Sequence, residues 1–448
     1  MNIQDNVRSI WSKELIKSAE IPVKAEVVII GGGIVGVSTA YFLAKQGIDV
    51  CLCEKGHISG EQSGRNWGWV RVQGRDEREI PMMLKSLDIW RNLSNDLGED
   101  VGYREDGCLY TAYTEKELSN YQDWVDLAKD FNIKTDFISG SELKSAAGMA
   151  SRNWVGGIVT KSDGRAEPQK ASLAIARGAQ RHGAIILTNC AVRGLETSSG
   201  KVSAVITEYG RINTSIVLCA AGAWSSLFCG SLGIKVPQLR VRGTVARTNA
   251  VDSPIKGNIF DKNIGIRKRN DGGYTVAHGS VLDHSITPST FRYAPKYLRA
   301  LWKEFNALRI SIGMDFFDEL KVPKQWELDK TSPFESMRVL SPVPNKSVVA
   351  EIEASLGLIF PEFKDAKIIE TWAGMVETTP DVVPIICESE EIPGFFIGTG
   401  FSGHGFGIGP AAGQAIARMI ENKDTTDLAP FKLKRFFDGS PIRPNSTI

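Results

Sequence analysis

The chain has 448 residues, more than one hydrophobic core usually holds, so two domains are expected. Its 53 basic and 52 acidic side chains give a net charge of +1 with no long run of one sign, which argues against a nucleic-acid partner. Seven cysteines are scattered without a CxxC pair, which predicts reduced, mostly buried thiols and no metal site.

The first 24 residues mix charged and apolar side chains and contain no apolar core of signal-peptide length. Elsewhere the sequence has no run of about 18 consecutive apolar residues, the length that a membrane-spanning helix requires. We therefore predict an N-terminal arm over residues 1–24 and a cytoplasmic protein.

The stretch from Glu26 to Glu54 has the pattern of one complete β-α-β unit. An apolar run over 27–30 predicts a buried strand, and the following residues form GxGxxG with Gly31, Gly33 and Gly36. The first glycine permits a tight turn, the second lets the backbone approach a pyrophosphate, and the third lets the helix pack closely on the strand. Because amides at the start of the helix then face the phosphate charge, the motif predicts a dinucleotide site.

The unit continues with a predicted helix over 37–45, a stop at Gly47 and a second strand over 49–53 that ends in Glu54. A carboxylate at this position accepts hydrogen bonds from ribose hydroxyl groups and suits an unphosphorylated ribose. NADP is therefore disfavoured, whereas FAD and NAD both remain open. A purely structural glycine turn is a weak alternative, because strand, helix, second strand and acid occur in register.

The next segment, KGHISGEQSGRNWGWVRVQGRD, is too rich in glycine and polar residues for a core element and predicts a loop shaped around a ligand. The tryptophans at 67–69 offer a flat apolar wall. Four consecutive residues offer amides, a hydroxyl group and a cation to a diphosphate: Ser63, Gly64, Arg65 and Asn66. A solvated loop is the alternative. For Arg71, Gln73 and Arg75 we favour pairing with the acids at 76–79 on a solvated face over a place in a pocket.

Further along, two strands joined by a turn at 209–210 are predicted, then a third strand over 215–219 that leads into AAGAW. Small side chains there permit a close approach of the backbone. The segment 263–279 alternates into a DGG turn and returns, which predicts a hairpin with Arg267 and Arg269 on one face and Ile264, Ile266 and Lys268 on the other.

Residues 297–308 predict a helix with one apolar stripe opposite charged side chains. We favour packing of this stripe on the protein itself over docking at a membrane interface. The stripe consists of Tyr297, Leu298, Leu301, Trp302, Phe305 and Leu308.

Near the C-terminus, residues 394–409 form a glycine-rich loop, and Pro410 fits the first turn of a predicted helix over 411–420. Such a loop presents amides and the positive end of a helix dipole to an anion. A reduced flavin carries negative charge near N1 and its C2 carbonyl, so the loop favours flavin over nicotinamide. A glycine-rich surface loop is the alternative.

In this order, the pieces resemble the D-amino-acid-oxidase-type flavoprotein superfamily from about Lys24 to Ile420. The sequence is particularly similar to bacterial membrane-associated L-amino-acid deaminases, through GEQSGR at 60–65, GLET at 194–197, TEYGRINTS, AGAWSSLF, FRYAPKYL at 291–298 and SPFESMR at 332–338. The resemblance implies an α/β fold, α+β overall, in which a Rossmann-type FAD-binding domain is interleaved with a substrate-binding domain whose β-sheet covers the flavin.

The implied domain boundaries divide the chain into alternating segments. Residues 25–105, 155–237 and 340–421 form the FAD-binding domain, and residues 106–154 and 238–339 form the substrate-binding domain. The N-terminal arm precedes them, and residues 422–448 form a C-terminal tail.

The resemblance also implies a set of FAD contacts. We expect noncovalent FAD, because the loop after the second strand has no obvious histidine for a covalent link; a cysteine link elsewhere remains an alternative. The expected contacts are Gly31, Gly33, Ile34, Val35, Gly36, Glu54, Lys55, Ser63, Gly64, Arg65, Asn66, Val192, Ala221, Gly222, Trp224, Gly374, Gly400, Ser402, Gly403, His404 and Gly405.

The implied activity is oxidation of a carbon–nitrogen bond. We expect hydride transfer from the Cα of an amino acid or N-substituted amino acid to flavin N5, followed by hydrolysis of the imine. The alternatives are a secondary-amine oxidase of the sarcosine or opine type and a flavin-carrying subunit of an amine dehydrogenase complex. Oxygen, quinone and an electron-transfer protein stay open as electron acceptors, and so does peripheral contact with the inner face of a membrane.

A substrate carboxylate is best held by a bidentate guanidinium group, and alternation alone leaves both Arg267 and Arg269 as candidates. The family pattern, an arginine after a Gly-Ile-apolar step and shortly before a DG turn, matches Arg267, which we predict to hold the carboxylate. A strand-end arginine in water is the alternative. His404 is a weaker candidate for proton transfer.

The chain departs from the membrane-associated deaminases in two places. It lacks their N-terminal transmembrane segment, and its loop after Arg65 reads NWGWVRVQGRD, so the side chains nearest the substrate are expected to differ. The fold therefore transfers with the resemblance, whereas the substrate and its stereochemistry do not.

Overall fold

The computed structural model describes residues 20–148, 153–304 and 308–444, apart from the side chain of Glu304. Most of the predicted N-terminal arm and the last four residues lie outside this range. Phe305 of the predicted stripe lies outside it too.

The described residues form strands β1 to β21 in chain order. They are β1 Val27–Ile30, β2 Val50–Cys53, β3 Trp69–Val70, β4 Cys108–Ala112, β5 Thr135–Ile138, β6 Gly156–Thr160, β7 Gly164–Arg165, β8 Ile185–Leu187, β9 Val192–Ser198, β10 Lys201–Thr207, β11 Gly210–Asn213, β12 Ile216–Cys219, β13 Leu239–Thr248, β14 Asn258–Asp261, β15 Ile264–Lys268, β16 Tyr274–Ala277, β17 Leu282–Ser285, β18 Leu308–Ser311, β19 Ile368–Thr378, β20 Ile385–Glu388 and β21 Phe395–Thr399.

The α-helices of the described residues are numbered in the same way. They are α1 Ile34–Lys45, α2 Gln62–Arg65, α3 Ile80–Leu97, α4 Glu115–Asn120, α5 Gln122–Asp130, α6 Gly140–Ala147, α7 Pro168–Arg181, α8 Ser225–Ser231, α9 Pro288–Glu304, α10 Met314–Lys321, α11 Pro333–Ser336, α12 Lys346–Ile359 and α13 Gly405–Ile420. Short 3-10 turns occupy Gly222–Trp224, Pro361–Phe363, Thr426–Phe431 and Leu433–Phe436.

The predicted β-α-β unit lies at the centre of the first sheet. Within the described residues, this sheet has the strand order β20-β21-β12-β1-β2-β8, with β1 parallel to both β12 and β2. Strands β1 and β2 are buried along their whole length, as continuous apolar runs in a parallel sheet should be. The predicted strands and helix are confirmed, although α1 begins three residues earlier than predicted and Gly47 ends it with a φ of +83°.

The second sheet is larger and mostly antiparallel. In the described part of the chain its order is β18-β17-β13-β16-β15-β14-β4-β6-β5, with β19 paired to β13. Strands β15 and β16 form the predicted hairpin, in which Arg267 lies opposite Thr275. The sheet buries its other face against α12, where Ile264 and Ile266 join an apolar cluster with Ile352. An α/β fold with interleaved sheets, as the resemblance implied, is confirmed.

Sheet membership bears on the predicted domain boundaries. The first sheet takes its strands from three separate stretches of the chain, as an interleaved domain requires. However, β6 and β19 belong to the second sheet, whereas the predicted boundaries placed both with the FAD-binding segments. The boundaries at 155 and 340 therefore do not follow the sheets, and the division into domains stays a prediction.

The glycine-rich segment before Pro410 is helical, so the prediction of a loop that ends there was wrong in its extent. Helix α13 begins at Gly405, and Pro410 lies inside it rather than in its first turn. Close packing explains the glycines, since a Cβ atom on Gly409 would lie 2.7 Å from the Ile34 side chain and one on Gly413 would lie 2.5 Å from Ser38 Cβ. The glycines that suggest a flexible loop in the sequence instead allow α13 to pack tightly on α1.

The predicted apolar stripe on α9 is buried only in part, which corrects the expectation that it packs on the protein. Tyr297 lies in a small apolar cluster with Leu239, and its hydroxyl group accepts a hydrogen bond from the Leu239 amide. Leu298 and Trp302, in contrast, are 63% and 87% exposed, and Leu308 starts β18 rather than continuing the helix. No helix within the described ranges is both long and apolar enough to span a bilayer.

Candidate active site

A continuous cavity of about 580 Å³ lies between the two sheets. One end of it is lined by the carboxyl ends of β1, β2, β12 and β21, which is where open α/β sheets bind ligands. The other end is lined by residues of β4, β13, β14 and β19 of the second sheet. The fold therefore places a dinucleotide motif and a second binding surface along one continuous cavity.

The tight turn after β1 depends on two glycines. Gly31 has a φ of +107°, and a Cβ atom on it would lie 2.4 Å from the Ala220 carbonyl oxygen. A Cβ atom on Gly36 would lie 2.0 Å from the Gly31 carbonyl oxygen, so this glycine lets α1 pack on the turn as predicted. The start of α1 can thus face the cavity.

Side chains of the next two segments hold the amides of this turn. The Gly32 amide donates to Glu54 Oε2 at 2.7 Å, and the Ile34 amide donates to Ser63 Oγ at 2.8 Å. Burial raises the pKa of the Glu54 carboxyl group, while the bonds from Gly32 and Gly56 act in the opposite direction. Glu54 thus lies at the end of β2 as predicted, with both oxygen atoms tied to backbone amides.

An indole forms part of the wall beside this turn. Trp224 donates from Nε1 to Glu61 at 3.0 Å, and Lys55 forms an ion pair with the same carboxylate at 2.7 Å. The Lys55 ammonium group also lies 4.5 Å from the centre of the Trp224 ring. This arrangement fixes a flat apolar surface and a cation at the dinucleotide end of the cavity.

The loop between β21 and α13 approaches the cavity with three residues of positive φ within four positions. Gly400, Ser402 and Gly403 have φ values of +76°, +50° and +85°. Ser402 Oγ accepts a hydrogen bond from the Thr379 amide at 3.2 Å and donates to the Gly400 carbonyl at 3.0 Å. These bonds order the loop that leads to His404, the residue at the N-cap position of α13, which lines the cavity.

Most of the predicted cofactor contacts line the cavity: Gly31, Gly33, Ile34, Val35, Glu54, Lys55, Ser63, Arg65, Asn66, Val192, Ala221, Gly222, Trp224, Gly374, Ser402, Gly403, His404 and Gly405. Three others are placed behind the lining. Gly36 faces the turn after β1, Gly64 accepts a hydrogen bond from Gln169 through its carbonyl, and Gly400 lies against Thr379. For these three the predicted direct contact is not supported.

Arg65 lies in the lining, but its guanidinium group is already engaged. It donates from Nε to the Gly60 carbonyl at 3.0 Å and from Nη1 to Ser341 and the Ala373 carbonyl, both at 3.0 Å. Arg65 therefore ties the loop after β2 to β19, in addition to any role as a cation near a diphosphate.

A cluster of charged side chains forms the wall beside the His404 loop. Arg75 donates from Nε to the Arg71 carbonyl at 3.1 Å and from Nη2 to the His404 carbonyl at 3.3 Å. The His404 Nδ1 atom lies 3.3 Å from Oε2 of Glu79, whose side chain is fully buried. Burial lowers the pKa of Arg75 to about 10 and, together with the charge of Arg75, lowers the pKa of His404. His404 is therefore mostly neutral at pH 7.

The expectation of a solvated face for residues 71–79 was therefore wrong. Arg75 and Glu79 are buried rather than solvated, and Arg71 and Arg75 line the cavity. The reason is that Asp163, distant in sequence, accepts hydrogen bonds from the Val72 amide at 2.7 Å and the Gln73 amide at 3.1 Å. Burial raises the pKa of Asp163 to about 7 despite these bonds.

Aromatic rings form the remaining wall. The rings of Trp67 and Trp69 meet edge to face at 5.2 Å, and Phe260 lies 6.5 Å from Trp69 and 4.9 Å from Tyr110. The Arg71 guanidinium group lies 5.5 Å from the centre of the Tyr110 ring. The second end of the cavity thus combines an apolar wall with a cation.

Arg267, the predicted anchor for a substrate carboxylate, is not in the cavity lining. It is 1% exposed and pairs through Nη1 with Glu167 at 3.0 Å, while Nη2 donates to Thr275 at 3.0 Å. Gly68 covers the guanidinium group, since a Cβ atom there would lie 2.8 Å from Arg267 Nε. This placement does not support the carboxylate role, because the guanidinium group that a substrate carboxylate would bind is already paired with Glu167.

Sequence reasoning missed several residues of this site. Tyr110, Phe260 and Asp163 carry no local signal, because β-sheet pairing and a single buried turn bring them to the wall. A signal did exist for Arg71, Arg75 and Glu79, which follow one another at intervals of four residues. On the sequence alone, these charges are explained by pairing with the acids at 76–79 on a solvated face.

Comparison with known proteins agrees with this geometry. Residues 26–419 match the family DAO, FAD dependent oxidoreductase. The chain belongs to that family. Like the other members it is an FAD-dependent oxidoreductase.

Individual relatives cover nearly the whole chain. The structure of an L-amino acid deaminase from Proteus myxofaciens superposes with a TM-score of 0.91 at 35% identity, covering 95% of this chain and 97% of the other. The sarcosine oxidase subunit beta of Rhodobacter capsulatus is 25% identical over 96% of this chain and 93% of its own. Mouse mitochondrial sarcosine dehydrogenase is 24% identical over 94% of this chain. The match covers only 42% of the length of the mouse protein.

The residues in the cavity fit FAD. The glycine turn leaves room where a Cβ atom would meet Ala220, and Glu54 stands at the position of a ribose ligand. The start of α13 and the amides around His404 offer partial positive charge to a reduced flavin ring. Residues of the lining therefore match both ends of the cofactor, and noncovalent attachment stays a prediction.

The glycine turn gives a test of cofactor binding. We expect Gly31→Ala to purify with less than a tenth of the flavin of the parent protein, because the added Cβ atom would collide with the Ala220 carbonyl. Gly183→Ala is the matched control, since Gly183 has a φ of +97° and no atom within 4 Å of an added Cβ. Visible absorbance measures the flavin content; a full complement in Gly31→Ala would contradict the site.

The Glu167–Arg267 pair gives a pH-dependent stability. Burial raises the pKa of Glu167, but the charges of Arg267 and Arg269 outweigh it and lower the pKa to about 2, from 4.5. The pair therefore stabilises the fold above pH 4.5, and the stabilisation is lost as the pH falls from 4.5 towards 2. We expect Glu167→Gln to lower the free energy of unfolding by about 3 kcal/mol at pH 7.

Thermal unfolding of both proteins from pH 7 down to pH 3 measures this effect. The difference in Tm should narrow as the pH falls below 4.5. Glu196→Gln is the control, because Glu196 forms an exposed pair with Arg211. A difference in Tm that is constant over the whole range would show that the buried pair has an ordinary pKa.

Proposed function

We propose that the protein oxidises the C–N bond of an amino acid or N-substituted amino acid. The observation that carries the proposal is the charged wall in the cavity that holds the dinucleotide turn, where His404 lines the cavity and Arg71 lies over the ring of Tyr110. The names of the relatives support it, since those proteins act on amino acids or on sarcosine, an N-methyl amino acid. FAD supplies the hydride acceptor for this reaction.

In this proposal Arg71 holds the substrate carboxylate. Among the described residues its guanidinium group donates only one hydrogen bond, from Nη1 to the Gln73 carbonyl, so Nε and Nη2 remain for a carboxylate. Arg65 and Arg75 are less suited, because most of their donors bind backbone carbonyl groups. A planar guanidinium group that is fixed over Tyr110 presents a bidentate fork.

The aromatic wall would receive the substrate side chain or an N-substituent. Trp67, Trp69 and Phe260 offer ring faces and edges rather than charges, so an apolar group suits this end. Once the carboxylate and the side chain are fixed, Cα can release its hydrogen with the bonding electron pair. The nitrogen lone pair then forms the C=N bond, and water hydrolyses the imine to an oxo acid and ammonia or an amine.

The alternative is a secondary-amine oxidase or a flavin-carrying subunit. The sarcosine oxidase subunit beta favours it, because the match extends over 93% of a chain that is named as a subunit. In that case N-alkyl amino acids would be oxidised and primary amino acids would not. A subunit without turnover of its own would bind FAD and react with neither.

We also propose peripheral contact with an anionic membrane. Exposed apolar side chains cover α9 and α10: Phe291, Leu298, Trp302, Met314, Phe317 and Leu320, with exposed fractions from 54% to 87%. The two helices pack against each other through Phe291 and Phe316. Basic side chains accompany the apolar ones on α9, among them Arg292 and Arg299, and their sign matches an anionic lipid surface, whereas α10 is acidic and contributes apolar side chains only. A quinone would then be the natural electron acceptor.

The proposed reaction predicts which class of substrate reduces the flavin. Anaerobic addition of pools of D-amino acids, L-amino acids and N-alkyl amino acids should bleach the flavin bands with one pool. Arg71→Ala should raise KM for the active substrate at least tenfold, since a lost guanidinium–carboxylate contact costs about 1.5 to 3 kcal/mol. The flavin content should be unchanged.

Lys262→Ala is the comparison variant, because Lys262 is the cation that lines the cavity from the second sheet. Lys262 already pairs with Glu117 at 3.0 Å, so its loss should leave KM within about twofold. If KM rose tenfold in Lys262→Ala and stayed unchanged in Arg71→Ala, Lys262 rather than Arg71 would bind the substrate carboxylate. Bleaching by no pool would contradict the proposed reaction.

A second prediction concerns the membrane. The protein should sediment with vesicles that contain phosphatidylserine and be released by high salt, while vesicles of phosphatidylcholine alone should bind little. The double variant Leu298→Ser/Trp302→Ser should lose most of this binding. Val343→Ser is the control, since Val343 is 63% exposed on another segment. Equal sedimentation of all three proteins would exclude this surface.

A further inference from the structure

Glu79 is a buried acid whose nearest charged neighbours are His404 and Arg75. Its side chain is fully buried at the residue that precedes α3, and neither carboxylate oxygen accepts a well-aligned hydrogen bond from any described residue. A buried carboxylate normally requires several hydrogen bonds, and leaving one without them costs several kcal/mol. Neighbouring charges rather than aligned hydrogen bonds therefore accompany this group.

The polar atoms nearest to Glu79 are equally incomplete. His404 Nδ1 lies 3.3 Å from Glu79 Oε2, and it is buried without another partner in the described structure. Arg75 Nη1 is buried without a partner in the same part of the chain, although Nε and Nη2 of Arg75 bind carbonyl groups. A carboxylate, an imidazole and a guanidinium group thus meet at the wall with unused hydrogen-bonding capacity.

The two nitrogen atoms of the His404 ring lie in different surroundings. Nδ1 is buried on the side of Glu79, whereas the His404 side chain keeps 10% exposure and lines the cavity. If Nδ1 carries the hydrogen atom and faces Glu79, then Nε2 has a free lone pair. This is the arrangement in which an acid orients a histidine so that the histidine acts as a base.

We propose that His404 accepts the proton of the bound substrate ammonium group and that Glu79 is the residue that positions His404 for this transfer. The inference rests on the proposed function, because hydride can leave Cα only when the amine is neutral. The substrate N–H bond breaks and an Nε2–H bond forms, so that the ammonium group becomes an amine and the imidazole becomes an imidazolium facing Glu79. Hydride loss leaves an iminium ion, which water hydrolyses to the oxo acid and ammonium, and the imidazolium then returns its proton to solvent.

Three charged side chains act on the His404 ring: Arg75, Arg71 and Glu79. Arg75 and Arg71 lower the pKa of His404, after burial, and Glu79 raises it. Tyr110 and Asp163 lie behind the two arginines. Removing the charge of Glu79 should therefore make His404 a weaker base, whereas a shorter acid in its place should retain part of the effect.

Substitutions at His404 and at Glu79 test the proposal. His404→Asn keeps a donor near Glu79 but removes the base. We expect kcat/KM at pH 7 to fall roughly 100-fold, the usual scale of a lost general base. The loss should shrink at alkaline pH, where more of the free substrate already carries a neutral amine. A residue that serves only the fold would lower the activity at every pH.

Glu79→Gln tests the positioning role with a readout that needs no turnover. The chain has five histidines, so the His404 signal in a side-chain NMR titration of the flavin-free protein can be assigned by its absence from His404→Asn. We expect the His404 titration to move to lower pH by about one unit in Glu79→Gln and to return part of the way in Glu79→Asp. An unmoved titration would overturn the role of Glu79.

The outcomes separate this inference from the proposed function. If amines bleach the parent protein and His404→Asn keeps the parent pH profile, the proton transfer is overturned and the oxidation stands. If no amine bleaches the parent protein, the proposed function fails, and His404 loses its substrate whatever the titration shows. If His404→Asn does not fold, the pH profiles of Glu79→Gln and Glu79→Asp decide, and profiles equal to that of the parent overturn the proposal.

Discussion

The site depends on how closely helix α13 packs on helix α1. Gly409 and Gly413 leave no room for a side chain between the two helices, because added Cβ atoms would lie 2.7 and 2.5 Å from Ile34 and Ser38. Both helices begin at the cavity, one after the dinucleotide turn and the other at His404. Their separation therefore sets the distance between the cofactor turn and the charged wall, and larger side chains at the two glycines would change both at once.

The wall itself concentrates charge where little water reaches it. Each buried ion there costs several kcal/mol unless dipoles or opposite charges replace its hydration. The backbone supplies most of the replacement: Asp163 accepts two amide bonds, and Arg75 donates to two carbonyl groups. Glu79 is the exception, since no comparable bonds surround it among the described residues. A buried charge whose lost hydration the backbone does not replace is most easily explained by a role in the reaction.

Local patterns in the sequence predicted the parts of the fold that depend on neighbours in sequence. The β-α-β unit and the hairpin with Arg267 were predicted because glycine geometry and alternation are local properties. Alternation gave the face of Arg267 but not what covers that face, which is Gly68 and Glu167 from distant segments. The place of Arg75 was missed for the same reason: Asp163, a residue about 90 positions away, holds the turn that buries it.

The proposed anchor and the proposed base are coupled by electrostatics. Arg71 is one of the charges that lower the pKa of His404, so an empty site holds the imidazole neutral and weakly basic. A carboxylate bound to Arg71 would offset that charge and make His404 a stronger base while the ammonium group is within reach. A substrate without a carboxylate would lose its anchor and also leave the base weak. Selectivity for amino acids over simple amines would then appear in kcat as well as in KM, because the same contact serves binding and proton transfer.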